Sequence, residues 1–281
     1  MTTETMGLRE PLVQIIEPGR RSLASEWREL LHYRDLLYFL VRRHVSVRYK
    51  QTVLGVAWAV IQPFMTMVVF SVFLGRLAGV PSDGVPYPVF SYLGLLPWTY
   101  FSGAVGRASQ SLVSNANLLG KVYFPRVLIP LSAVISAFVD FAIASLVLVG
   151  VMAWYGIWPA ASAVWIVPLS LLTALNALGV GAWLAALNVR FRDVQHFVPF
   201  VLQLWMFATP VVYPNSIVPE GYRLLFSLNP LTGNIVAYRA AVLGRPIDMQ
   251  ALALSFLMAS VFLVLGLCQF RRMDRRFADI V

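Results

Sequence analysis

The sequence predicts an all-α integral membrane protein with six transmembrane helices, an N-terminal amphipathic interfacial helix and a re-entrant helix pair between spans five and six. Composition is the first reason. Of 281 residues, 59% are hydrophobic and 12% are charged, and the mean hydropathy is +0.72; soluble domains carry roughly 25% charged residues. So much apolar surface needs lipid as its solvent. Length is the second reason: apolar runs of the ~20 residues that cross a ~30 Å hydrocarbon core recur between short polar segments. Charge placement is the third. Arg42, Arg43, Arg48 and Lys50 crowd the start of the first apolar run. Of the 22 Lys and Arg, all but Arg76, Arg223, Arg239 and Arg245 fall in segments that this topology keeps inside. Translocating such charges is costly, so both termini are predicted to be cytoplasmic.

Residues 1–281 read as a single membrane unit. Residues 1–24, polar and with Pro11, Pro18 and Gly19, are expected to form a flexible segment. The charged first 52 residues predict a first span retained as an anchor, not a cleaved signal peptide. An interfacial helix is expected over 25–52. Ser25 suits the N-cap, and Glu26 and Glu29 suit the first turn, where the helix dipole favours negative charge. Trp27, Leu30, Leu31, Leu37, Tyr38 and Val41 recur at helical spacing, apart from a polar strip of Arg28, His32, Asp35 and Arg42. That apolar face is expected at headgroup level or against a partner, in preference to its own protein.

The membrane domain, 53–270, opens with span one, Val56 to Gly75. Gln62-Pro63 interrupts it, and the proline should kink the helix where neighbouring protein satisfies the freed carbonyl. After a polar external turn, span two covers Val89 to Leu112, is broken by Pro97 and is rich in aromatics. The loop Ser114–Arg126 returns to the cytoplasm. Span three, Val127 to Trp154, carries Asp140 near its middle. Span four runs from Val164 to Leu187. A basic loop from Asn188 to His196 follows, in which Asp193 could cap the next helix. Span five, Phe197 to Tyr213, is short and aromatic. Span six, Ala251 to Phe270, ends at Arg271, Arg272, Arg275 and Arg276, which open the cytoplasmic tail 271–281. Between spans five and six, Pro214–Gln250 holds two pieces too short to cross, Tyr222–Leu228 and Asn234–Leu243, split by Asn229-Pro230. A re-entrant pair is the expected form, because irregular backbone at membrane depth must be buried in protein or line a cavity.

The chemistry available is narrow. No catalytic constellation and no metal site assemble by spacing: His32, His44 and His196 all lie in basic segments, and the external acids Asp83, Glu220 and Asp248 are scattered. Asp140 is the sole carboxylate expected within a span, which makes it a functional candidate; a structural hydrogen bond or a pairing with Arg107 accounts for it as well. No G-x-x-x-x-G-K-[ST] loop is present, so ATP cannot be bound in the P-loop manner, and any use of ATP needs a partner. The net charge of +9 does not point to nucleic acid, because the charges lie between apolar runs and not on one face. An ion-coupled secondary transporter would show repeated halves and several intramembrane ionisable groups. A membrane-embedded glycan-processing enzyme would show acidic pairs.

Four stretches in order resemble one known family: RYKQTVLGVAWAVIQP (Arg48–Pro63), NANLLGKVYFPRVLIPLSAV (Asn115–Val134), LNVRFRD (Leu187–Asp193) and LNPLTG (Leu228–Gly233). They are similar to the permeases of bacterial polysaccharide ABC exporters, of the O-antigen export type, with capsule and teichoic-acid permeases nearby. The resemblance runs from about Trp27 to Phe270. It implies a multi-pass permease of the bacterial inner (cytoplasmic) membrane that pairs with a second copy of itself and with two copies of an ATPase subunit. ATP and Mg2+ would sit on that ATPase, with no cofactor in this chain, and the cargo would be a lipid-linked polysaccharide moved from the cytoplasmic side. It also implies an ATPase-coupling loop holding Asn115, Asn117, Leu118, Leu119, Lys121, Tyr123 and Arg126. The interfacial helix, with Trp27, Leu30, Leu31, Arg48, Tyr49 and Lys50, would form a cytoplasmic gate. Phe64, Trp98, Tyr100, Trp205 and Tyr213 are the rings expected to line a channel, since sugars present apolar C–H faces to aromatic rings.

Overall fold

A computed structural model of the chain describes residue 29 and residues 31–50, 55–121 and 123–274. The expectations for 1–24, for Ser25, Glu26, Trp27, Arg28 and Leu30, and for Arg275 and Arg276 lie outside the described residues. Within them, every regular element is helical: α1 (Arg34–Lys50), α2 (Ala57–Phe70), α3 (Tyr87–Ser114), α4 (Ala116–Leu119), α5 (Leu128–Trp154), α6 (Ile166–Arg190), α7 (Val194–Phe207), α8 (Glu220–Ser227), α9 (Thr232–Leu243) and α10 (Met249–Asp274). A π-helical segment, Ser71–Leu77, extends α2, and a 3-10 turn, Ala161–Trp165, leads into α6.

Four of these stretches among the described residues have the length and hydropathy to cross a bilayer: Ala57–Leu77, Leu128–Trp154, Ala161–Arg190 and Met249–Asp274. The two other expected spans are of a different kind. Helix α3 has 28 residues, but Ser, Gly, Thr, Tyr and Arg107 dilute its hydropathy, and most of its side chains face protein. Helix α7 has 14 residues, about 21 Å at ~1.5 Å per residue. The helix expected to reach Tyr213 therefore stops at Phe207: the chain turns over Ala208–Val212, and the Pro210 and Val211 carbonyls accept from Arg239. Asp193 stands at the N-cap of α7 but makes no side-chain capping bond.

Helix α3 is the hub, packing on α2, α5, α6, α7 and α9. Small residues allow that closeness, as is usual between helices in lipid, where dispersion contacts replace the hydrophobic drive. A Cβ on Gly181 of α6 would lie 2.6 Å from the Ala108 Cβ of α3. Helices α6 and α10 meet still more closely: a Cβ on Gly266 would fall 2.0 Å from the Gly179 carbonyl oxygen. Buried polar pairs add to the packing, with Asn188 Nδ2 donating to the Ser109 carbonyl at 3.0 Å and Asn234 Nδ2 to Thr173 Oγ1 at 2.6 Å.

The end of the bundle where α3, α6 and α10 stop and α5 starts carries Lys121, Arg126, Arg190 and Arg271. This basic end has an apolar cluster of its own, built from Leu40, Leu112, Phe124, Leu128, Ala185 and Phe270. Helix α1 docks there. Leu40 is 0% exposed, with Tyr33, Leu36 and Leu37 behind it. The docking face is centred on Leu40, which is not one of the stripe residues expected at headgroup level or against a partner. Of that stripe Leu37 packs inward, whereas Leu31 and Tyr38 point outward and are exposed, as are Phe39 and Val47. The i, i+4 pair Leu36/Leu40 explains the docking, since both stand on one face of the helix.

Candidate functional site

Three places in the bundle hold the residues singled out by the sequence. The first is the polar cluster around Asp140, which lies twelve residues along α5 from Leu128, roughly 18 Å at ~1.5 Å per residue. One Asp140 oxygen accepts from Arg107 Nη1 of α3 at 2.9 Å and from Arg48 Nη1 of α1; the other accepts from the Tyr49 hydroxyl. Nearer the basic end, Arg43 Nη1 donates to Asn115 Oδ1 at 3.0 Å, and Asn115 Nδ2 donates to the Ser111 carbonyl. A cavity of about 420 Å³ lies between α1, α3 and α5, lined by these residues together with His44, Val45, Val47 and Ser136. Burial, and to a lesser degree Arg43, push the His44 pKa below its usual 6.5, which keeps the imidazole uncharged at neutral pH. The pairing of Asp140 with Arg107 is one of the three readings that the sequence allows, beside a functional acid and a structural hydrogen bond. The recruitment of Arg48 and Tyr49 is not among them, because nothing in the spacing says that α1 runs along α5. Lys50, next in the chain, is exposed.

The second place is the expected coupling loop. It folds as the single turn α4, with Leu118 and Leu119 against the apolar cluster of the basic end and Asn117, Lys121 and Tyr123 exposed. Asn115 is buried at the junction of α3 and α4. Arg126 reaches across to the last turn of α10, pairing with Asp274 Oδ1 at 3.0 Å. The Tyr33 hydroxyl donates to the Tyr123 carbonyl at 3.4 Å. The described residues of the loop are therefore tied to α1 and to α10.

The third place is aromatic. The five rings expected to line a channel do not meet around one cavity of a single chain. Trp98 and Tyr100 are each 4% exposed, Trp98 against Phe101 and Tyr100 between Phe138 and Phe141. Phe64 lines an apolar groove of about 640 Å³ between α2 and α5, with Met67, Val72, Val151 and Trp154. Trp205 packs edge-on to Phe101, and its Nε1 donates to Asn229 Oδ1 at 3.1 Å, beside a separate cavity of about 350 Å³. The Tyr213 hydroxyl donates to the Phe207 carbonyl at 2.9 Å.

Asn229-Pro230 separates α8 from α9, and the two helices differ in environment. Tyr222 and Leu225 of α8 are exposed, whereas α9 is buried along most of its length. At the start of α9, the Gly233 amide donates to Ser255 Oγ, six residues into α10. Its far end carries Arg239, 7% exposed, whose Nη1 donates to the Pro210 carbonyl at 2.7 Å and whose guanidinium stacks on the Phe90 ring at 3.9 Å. Gly94 is required beside it: a Cβ there would sit 2.1 Å from the Val211 oxygen. Sequence reasoning counted Arg239 only as an external charge. Its aromatic and carbonyl partners come from α3 and from the turn after α7, which no local pattern links to it.

The comparisons with known proteins agree with this picture. The chain is 37% identical over 217 residues to the O-antigen export system permease protein RfbA of Myxococcus xanthus, covering 76% of this chain and 82% of that protein. It is 30% identical over 250 residues to a protein of the same name from Klebsiella pneumoniae, covering 88% of this chain and 95% of the relative. The polysialic acid transport protein KpsM of Escherichia coli is 23% identical over 235 residues, with 83% and 91% covered. The profile described as ABC-2 type transporter matches residues 35–243, from the start of α1 to the end of α9. With the apolar helices described above, these correspondences establish a multi-pass membrane protein that belongs to the ABC-2 type transporter family.

Proposed function

We propose that this chain is the membrane-spanning permease subunit of an ATP-driven exporter. It moves a lipid-linked, O-antigen-like polysaccharide from the cytoplasmic side across the bacterial inner membrane, as a homodimer with two copies of an ATPase subunit. The observation that carries this reading is the correspondence, over nearly its whole length, with permeases named for O-antigen export. On this reading the basic end faces the cytoplasm with both termini, as the positive-inside rule requires. ATP and Mg2+ act on the partner, and this chain is a transporter subunit without a catalytic centre of its own. The α4 loop receives the power stroke through Asn117, Lys121 and Tyr123, while Leu118 and Leu119 pass it inward through the cluster they share with α1, α5 and α10. Two features support a re-entrant pair. Asn229 bonds to the Thr209 hydroxyl and Trp205, and the start of α9 meets Ser255, about 9 Å below the start of α10 at ~1.5 Å per residue. From there α9 climbs back to Gly244, beside Ala160. With α3 and the α7 segment counted, six passes result.

The channel forms between two copies of the chain. Phe64 and the partly exposed Trp205 and Tyr213 are the rings offered to it, with Trp98 and Tyr100 supporting them from within the fold. The test is reconstitution. Liposomes holding the permease and its ATPase should transfer a lipid-linked polymer across the bilayer only when ATP and Mg2+ are present. Transfer without the ATPase, driven by an ion gradient, would overturn the reading.

A further inference from the structure

We propose that Asn176, Thr232 and Asn234 form a buried water site at the start of α9, in the wedge that α9 makes with α6 and α10. The argument begins with unmet hydrogen bonds. Asn176 is 1% exposed, and neither its Nδ2 nor its Oδ1 has a partner among the described residues. The same holds for Thr232 Oγ1 and Asn234 Oδ1, on residues 1% and 0% exposed. A side-chain amide carries two donors and two acceptor lone pairs, so the whole polar capacity of Asn176 is open. Asn176 also lies near the middle of the apolar stretch Ala161–Arg190, where polar groups are expensive. Leaving an amide unpaired in such surroundings costs more than holding a water in place.

The contacts on either side of Asn176 fix what it faces. Three residues before it, Thr173 Oγ1 accepts from Asn234 Nδ2 of α9 at 2.6 Å. Three residues after it, a Cβ on Gly179 would lie 2.6 Å from the Leu263 Cα of α10. Steps of three nearly complete a helical turn, so Asn176 points between those two directions, into the wedge. Helices α6 and α9 run in opposite senses, since Ser162, just before α6, bonds to the Ala241 carbonyl near the end of α9. The turn of α6 beyond Thr173 is therefore level with Thr232, the first residue of α9. On α10, the bond from the Gly233 amide to Ser255 and the contact at Leu263 bracket Ala259, which is 1% exposed and presents only a methyl group.

Water is the ligand that these groups suit. No charged side chain belongs to the set, and Arg239, the one charged residue of α9, is seven residues from Thr232, about 10 Å at ~1.5 Å per residue. The positive end of the α9 dipole disfavours a cation there. A water can donate to Asn176 Oδ1 and Asn234 Oδ1 while it accepts from Asn176 Nδ2 or the Thr232 hydroxyl. On the reading above, with α9 re-entrant, the site is a wet joint. Water-mediated bonds form again after a small shift, so α9 can tilt against α6 without stranding a polar group.

The test uses the full-length permease with isotope-labelled asparagine in phosphatidylcholine nanodiscs, and reads the transfer of water magnetisation to side-chain amides by solid-state NMR. Asn188 is the internal control, being 2% exposed with its Nδ2 bonded to the Ser109 carbonyl. Asn176→Ser and Asn188→Ser assign the two signals. The Asn176 amide should receive magnetisation several times faster than that of Asn188; equally slow transfer to both overturns the proposal. Asn176→Leu gives a second measurement. With a water in place the change strands Thr232 and Asn234, and the apparent Tm should fall by roughly 2–4 °C. Without one it removes an unpaired amide, so a rise in Tm overturns the proposal. The joint is read in the reconstituted complex as polymer exported per ATP hydrolysed, a ratio that Asn176→Leu should lower while hydrolysis continues. An unchanged ratio overturns the joint and leaves the water site standing. Absence of ATP-driven export by the parent complex overturns the exporter and not the site.

Discussion

Replacing Gly266 by Ala adds one methyl group at the closest approach in the bundle. The new Cβ would lie 2.0 Å from the Gly179 carbonyl oxygen and 3.0 Å from its Cα. Carbon and carbonyl oxygen normally sit about 3.3 Å apart even in a favourable C–H···O contact, so α6 and α10 must separate by about 1.3 Å. The obstacle is backbone, which cannot rotate aside as a flexible side chain would. Overpacking of this kind costs typically 1–3 kcal/mol, and a backbone clash belongs at the upper end of that range. At about 2–4 °C per kcal/mol for a chain approaching this size, the apparent Tm should fall by roughly 5–10 °C. The same move also withdraws the Gly179 Cα from Leu263, so dispersion contacts along the seam are lost as well. The assay is a thermal melt of detergent-solubilised protein followed by fluorescence-detected size exclusion. Gly150→Ala is the control, because nothing lies within 4 Å of its added Cβ, and its Tm should equal or exceed the parent's by up to about 4 °C, since Ala suits a helix interior better than Gly. Equal melting temperatures for the two variants would refute the claim that α6 and α10 meet through a glycine seam.

Further outcomes follow from the other places described. The isolated permease should hydrolyse no ATP, with activity appearing only when a cognate ATPase is added; this is read by phosphate release. Tyr123→Asp, on the exposed side of the α4 loop, should abolish co-purification with the ATPase and leave the melting temperature unchanged. Leu119→Asp, on the packed side, should instead lower the melting temperature, since it buries a charge in an apolar cluster. Arg239→Met strips the Pro210 and Val211 carbonyls of their donor, and should destabilise the protein by about 2–4 kcal/mol. After the exposed Cys268 is changed to Ser, Phe64→Cys should react with a membrane-impermeant thiol reagent during ATP turnover, whereas Trp98→Cys should stay protected. Protection at both positions would place Phe64 against lipid.

Much of this architecture is legible in the chain itself because lipid imposes simple requirements. Apolar length marks α2, α5, α6 and α10, and the Lys and Arg between them mark one end of the bundle. Asn229-Pro230 announces the break between α8 and α9, since proline removes an amide donor, although α2 and α3 run on through Pro63 and Pro97. Local patterns fail where one side chain has to satisfy two demands. Helix α3 was readable as a span, but its role as hub depends on Gly94 meeting the turn after α7 and on Ala108 meeting Gly181 of α6, and small residues carry no direction in sequence. The face on which α1 docks was not readable for a related reason. The helix is apolar on more than one side, and periodicity cannot say which side a neighbour will cover.

Sequence alone determined that the chain must live in lipid, which end of the bundle is basic, and that ATP has no P-loop in it. Tertiary structure alone decided what each polar group does. Asp140, readable as a lone acid or a partner of Arg107, joins α1, α3 and α5 through Arg48, Tyr49 and Arg107. Arg239, readable as an external charge, is a buried pin between α9, Phe90 and the turn after α7. The physical reason is common to both. Transfer to lipid sums over many residues and so survives averaging along a sequence, whereas a buried charge is made tolerable by particular oxygens and rings, brought from helices tens of residues away, that only the fold places beside it.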